Sequence, residues 1–205
     1  IQGGKGSFSE QAANQFITNH GLENTMIEYL ISSDNVLLSV ENIDLDYQDN
    51  NLSSQGFPAL DYLLYGIAND STQVLSIYTS ENGIKYINYM ELLIQTMISN
   101  TNLVISYWNT NKDDFINSTG NTATSSLNML TNDFIYYYEK GLRANKIGIP
   151  AGVYSNTPLT QNVEARYCQN YSKLLALHGL NSSRKFFTGE SFDGSIVGKS
   201  LDWYL

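Results

Sequence analysis

Apolar positions recur every three or four residues through most of this chain, the spacing of an amphipathic helix. The strongest run covers 82–109, where Ile87, Met90, Ile94, Met97, Thr101, Val104 and Trp108 share one face. At 1.5 Å per residue it predicts a helix of about 40 Å. A second stripe, over 123–144, is Leu127, Leu130, Phe134, Tyr137, Tyr138 and Leu142. The segment between them, 109–122, is polar and turn-rich, so the two helices are expected to pack antiparallel. Shorter helices are expected over 9–19, capped by Ser9, and over 22–31. A third longer one opens at Thr160 and runs to about Gly179, followed by a further turn or two over 181–187. Gly194 to Lys199 reads as a linker, and Ser200 caps a last helix. No segment alternates like a strand, and no internal repeat is visible. The fold class is all-α, an antiparallel helical bundle.

The breaks in the pattern are as informative as the runs. Ser32-Ser33-Asp34-Asn35 interrupts helix, and Asp44, Asp46, Asp49, Asn50 and Asn51 crowd into a polar loop. That loop lacks the central glycine and distal glutamate of a calcium-binding loop, so it reads as solvated. Pro58 suits the first turn of a helix, which places Asp61 in that turn as a partner for the helix dipole. Asn69-Asp70-Ser71-Thr72 is a turn with capping potential. Two glycines and Pro150 end the second long helix within 145–152. That loop is apolar and is expected to tuck against the protein.

Composition narrows the function. With 20 acidic against 11 basic residues the net charge is −9, and no basic stripe is present. Binding to a nucleic-acid backbone is therefore not expected. No run approaches the roughly 18 apolar residues of a membrane span. Fifteen tyrosines beside abundant Asn, Ser and Thr suit an exported bacterial protein. A single cysteine, Cys168, excludes an intrachain disulfide and reads as a small buried hydrophobe. The segment Gly3-Gly4-Lys5-Gly6-Ser7 lacks the spacing of a phosphate loop.

Candidate chemistry is sparse. The only histidines, His20 and His178, lie far apart, and no HExxH, CxxC or Gly-x-Ser-x-Gly motif occurs. A histidine-rich zinc centre is hard to build from such a chain. The carboxylates in apolar or aromatic surroundings are Asp61, Asp133, Glu139 and Glu164. Glu139 and Arg143 share a helix face at i, i+4, the spacing of an ion pair. The flanking Tyr136-Tyr137-Tyr138 suggests partial burial there, and burial is what perturbs titrating groups at sites.

The stretch Gly56-Phe57-Pro58-Ala59-Leu60-Asp61-Tyr62-Leu63-Leu64-Tyr65-Gly66 resembles the signature of the imelysin-like proteins, also called the insulin-cleaving membrane protease or iron-regulated protein family. Their motif is Gly-x-His-x-x-Glu followed by Tyr-Leu-Leu-aromatic-Gly. Residues 132–143, the loop 146–152 and Val163-Glu164-Ala165-Arg166-Tyr167 resemble later parts of the same family, so the likeness spans about 50–205. It looks closest to a Bacteroidetes-type branch in which the histidine is often absent.

The resemblance implies two helical lobes with the motif near their interface. It also implies export to the periplasm or outer-membrane surface, often as a lipoprotein, and a link to iron or haem uptake components. Family chains run longer, so residues 1–205 are expected to form one imelysin-like region that is incomplete at both ends. Gly56 keeps the motif, but Pro58 stands for its histidine and Asp61 for its glutamate. A metal centre of the family kind is lost with that histidine. What remains is a ligand site expected at Gly56, Asp61, Glu139, Arg143 and Glu164. Asp61 is its candidate ligand for a cation such as iron, zinc or calcium. The expected role is non-catalytic binding of a ligand or partner. A metallopeptidase-like enzyme with a modified motif and a ligand-free helical scaffold are the alternatives.

Overall fold

The computed structural model describes residues 33–43 and 54–204. The expected helices at 9–19 and 22–31, and the acidic loop at 44–51, lie outside the described residues. Everything described is helix, turn or loop, apart from one isolated antiparallel bridge between Glu190 and Val197. The all-α expectation holds. The chain divides into two units, Ile1–Asn100 and Thr101–Leu205.

In the first unit, α1 is Ser33–Asn42. It begins on the residues expected to break helix. Ser33, Asp34 and Asn35 of that segment are helical, and Ser32 lies outside the described residues. Helix α2, Gly56–Asp61, runs straight into wider π-helical turns over Tyr62–Gly66. Asp61 is therefore the last residue of α2 and not in its first turn, because the helix opens at Gly56, two residues before Pro58. Helix α3, Ser71–Tyr78, is capped as expected: the Asp70 carboxylate accepts from the Gln73 N–H at 2.9 Å.

The long helix α4, Gly83–Asn117, begins in this unit and outruns its expected end by two turns. The sequence beyond Asn109 is polar but holds no Gly or Pro until Gly120. Phe115 also packs edge-on against Trp108, two turns back, with ring centroids 5.3 Å apart.

The core of the first unit gathers Val36 and Val40 from α1, Ala59, Tyr62 and Leu63 from the opening stretch, and Tyr89 and Leu93 from α4. Its polar atoms are paired. Tyr89 Oη donates to the Ser54 carbonyl at 2.8 Å, and Ser39 Oγ donates to Ser54 Oγ at 3.3 Å. Tyr78 Oη donates to the Leu63 carbonyl at 2.8 Å.

In the second unit, α5 is Ser126–Tyr136 and continues as a π-helical run over Tyr137–Gly148. It passes through the expected break at 145–147. The break itself falls over 148–152, and Gly148, Ile149, Pro150 and Gly152 are buried, as their apolar character required. The helix expected from Thr160 is not formed. Thr160–Asn162 is one 3-10 turn, and Ala165 sits at φ +52, which no right-handed helix accommodates.

The helix lies further on. Helix α6 is Ser172–Thr188 and ends at Gly189 with φ +74. Gly179 is inside α6, where its missing side chain lets the helix approach Leu142: a Cβ there would sit 3.1 Å from Leu142 Cδ1. Helices α5 and α6 are antiparallel neighbours. Phe134 stacks on Phe186 and Phe187 at 5.4 and 6.2 Å at one end, Leu142 meets Gly179 in the middle, and Ile147 and Lys173 face one hollow at the other. The antiparallel partner of α5 is thus α6 and not the long helix before it.

Candidate functional site

The stretch Gly56–Gly66 is built first as a packing element. Gly56 adopts φ +70, a left-handed conformation that suits glycine, immediately before Phe57 and Pro58 turn into α2. Ala59, Tyr62 and Leu63 then point inward, and Leu63 is fully buried. Burying a leucine side chain is worth roughly 1.5–3 kcal/mol, so the apolar half of this stretch dominates its energetics. Of its two chemical positions, Pro58 is exposed and Asp61 is half-buried.

The expected metal gains little support from this arrangement. Proline offers no donor at the motif histidine's place. Among the described residues no group of three or more His, Cys, Asp or Glu side chains gathers to hold a metal. These residues do not fit a metal centre of the Gly-x-His-x-x-Glu kind.

The other expected site residues lie in the second unit. Glu139 and Arg143 meet, with Arg143 Nε donating to Glu139 Oε2 at 2.6 Å. The carboxylate raises the Arg143 pKa, first through this hydrogen bond and then through its charge. Glu164 does not join them. It pairs with Lys146 Nζ, and its backbone carbonyl accepts from Ser172 Oγ. That pair ties the irregular segment around Ala165 to the end of α5. Gly56 and Asp61 belong to the first unit, and Glu139, Arg143 and Glu164 to the second.

A concave surface does exist in the second unit, along the α5–α6 pair. One stretch of about 640 Å³ is lined by Phe134, Tyr138, Leu177, Leu180, Arg184 and Phe187, with Asn181 and Ser183 beside them. A second, of about 270 Å³, adds Leu142, Arg143, Ile147 and Lys173. Tyr138, Leu177 and Leu180 line both, so the two are parts of one groove. Arg143 is the one expected site residue that reaches it, with Glu139 as its tether.

The contributors from α6, among them Lys173, Leu177, Leu180, Arg184 and Phe187, were not among the expected site residues. Their signal was present. Lys173, Leu177, Leu180, Arg184 and Phe187 recur at alternating steps of four and three, one face of a helix. Reading Gly179 as a helix end cut that face in two.

The arrangement is that of an all-α protein with a helix–helix groove and no assembled acid–base or metal-ligand cluster among the described residues. Residues 9–205 match the profile of the Imelysin family, and the chain belongs to that family. No curated protein and no solved structure matches it.

Proposed function

We propose that this imelysin-family chain is a non-catalytic ligand-binding protein that serves iron or haem uptake at the periplasmic or outer surface of a Gram-negative cell. The observation that carries the non-catalytic part is the motif itself. Exposed Pro58 stands where the family motif has its histidine, and Asp61 is one methylene shorter than the motif glutamate. A catalytic metal needs several protein ligands and an open position, and this stretch supplies one carboxylate. The tie to iron or haem comes from the resemblance of the Gly56–Gly66 stretch to iron-regulated proteins. A binding role is supported by the groove along α5 and α6, whose size falls within the range of small-molecule sites.

The test has three arms on the purified chain: metal content as isolated, hemin titration followed by its Soret band, and cleavage of a denatured protein substrate. Saturable hemin binding or stoichiometric iron, with no cleavage, is the expected result. Chelator-sensitive cleavage that is lost in Asp61→Ala makes the chain a peptidase. No ligand uptake, with thermal stability unmoved by cations or hemin, leaves a helical scaffold.

A further inference from the structure

The α5–α6 groove has a chemical polarity of its own. Its floor is Phe134, Tyr138, Leu142, Leu177, Leu180 and Phe187. Leu177 and Leu180 are about half exposed, so this apolar face meets solvent along its length. The charged side chains that line it are Arg143, Lys173 and Arg184, and no carboxylate lines it. That is three of 11 basic residues gathered on one groove in a chain with 20 acidic ones.

The groove is also long and narrow. Lys173 and Phe187 mark its ends on α6, about 20 Å apart at 1.5 Å per residue.

The three cations are not equivalent. Arg184 donates to Asn181 Oδ1 at 3.2 Å and lies 3.6 Å from Glu190. Arg143 is held by Glu139. Lys173 has no acidic partner among the described residues. Exposed Lys173 sets a positive charge beside an apolar trough, which is complementary to a ligand that is anionic at one end and apolar along its body.

We propose that the α5–α6 groove binds an elongated amphipathic carboxylate. Its acyl or polyene body lies along Leu180, Leu177 and Tyr138, and its carboxylate sits between Lys173 and Arg143. This rests on the ligand-binding reading above and places the site in the second unit, whereas the Gly56–Gly66 motif belongs to the first. An amphipathic helix is the other shape such a trough receives. The volume, near the middle of the small-molecule range, and the pairing of Lys173 with Arg143 at one end favour the small molecule.

The probe is cis-parinaric acid, whose fluorescence rises in an apolar site, titrated into the whole chain beside its methyl ester. Saturable one-to-one binding of the acid is expected, with the ester at least tenfold weaker. Lys173→Gln is expected to weaken the acid about tenfold and leave the ester unchanged. Leu177→Asp is expected to abolish both. Leu177 is about half exposed, so the fold is expected to survive, and an unchanged far-UV circular dichroism spectrum checks this. Leu180→Asp serves as the independent second variant.

Three results overturn the proposal: no saturable binding, ester and acid binding alike, or binding that ignores both aspartates. Hemin separates it from the broader reading. If hemin binds the chain and Leu177→Asp changes nothing, the ligand-binding role stands and this groove is not its site. If parinarate behaves as expected while hemin and iron do not bind, the groove is a carboxylate site and the iron or haem role falls.

Discussion

The hydroxyl of Tyr89 donates to the backbone carbonyl of Ser54 at 2.8 Å, and both residues are fully buried. Tyr89 belongs to α4, and Ser54 lies just before the Gly56–Gly66 stretch. One hydrogen bond therefore fixes where that stretch enters the core. Tyr89→Phe keeps the ring and removes the donor, so the buried Ser54 carbonyl loses this hydrogen bond. The expected cost is about 1–3 kcal/mol. It is read as a lower urea midpoint with an unchanged m-value.

Two glycines of the first unit are needed for different reasons. At Gly56 an added Cβ would make only ordinary contact, with Pro58 Cδ at 3.6 Å, but its φ is +70. Gly56→Ala is expected to cost about 1–2 kcal/mol from backbone strain alone. Gly83 has an ordinary backbone, but a Cβ there would sit 2.0 Å from the Tyr78 carbonyl oxygen. Gly83→Ala must displace backbone, and more than about 4 kcal/mol is expected. Urea unfolding of the two variants side by side separates strain from clash by size.

Asp70 caps α3 through the Gln73 N–H. Asp70→Ala is expected to lose about 1 kcal/mol, and Asp70→Ser to recover most of it, since serine also caps. Equal losses in both would assign the effect to charge and not to capping.

Burial, with the neighbouring Tyr86 second, pushes the Tyr78 phenol up to about 12 from an ordinary 10.0. The neutral form is thus favoured in the folded state. Between pH 10 and 12 the unfolded chain loses this proton and the folded chain keeps it, so stability falls as pH rises through that window. Below pH 10 the contribution is intact. Urea midpoints measured from pH 9 to 12 are expected to fall less steeply in Tyr78→Phe than in the parent chain. Tyrosines away from this pair contribute equally to both curves, so the difference between them reports Tyr78 together with its coupling to Tyr86.

Much of this fold was legible because apolar spacing carried it. The cap at Asp70, the long helix from Gly83 and the buried loop at 148–152 all followed from local chemistry. The failures share a cause, which is that a residue's local preference does not say which of its permitted uses a fold makes of it. Ser33 and Asp34 suit a break, but here both are helical. Gly179 suits a helix end, but here it lets α6 approach Leu142. Ala165 gave no sign of its left-handed backbone.

The site was less legible. Glu139 and Arg143 were paired correctly because i, i+4 spacing is a property of one helix. Glu164 was grouped with them on sequence likeness, and its ion pair with Lys146 depends on the path of the chain around Ala165. The groove needed α6 in its true register before Lys173, Leu177 and Leu180 could be seen as one face.

The π-helical run over Tyr137–Gly148 spends one more residue on each backbone hydrogen bond than an α-helix does. It is in effect slack wound into the wall of the groove. Removing a single residue from it lets the remaining turns tighten to α-helical geometry without breaking the helix. Because the slack absorbs the loss, the side chains on either side of the tightened turn keep their directions, and both Phe134 and Ile147 still face the groove. A one-residue change of length within this segment is thus one that the wall of the trough can absorb without losing its aim.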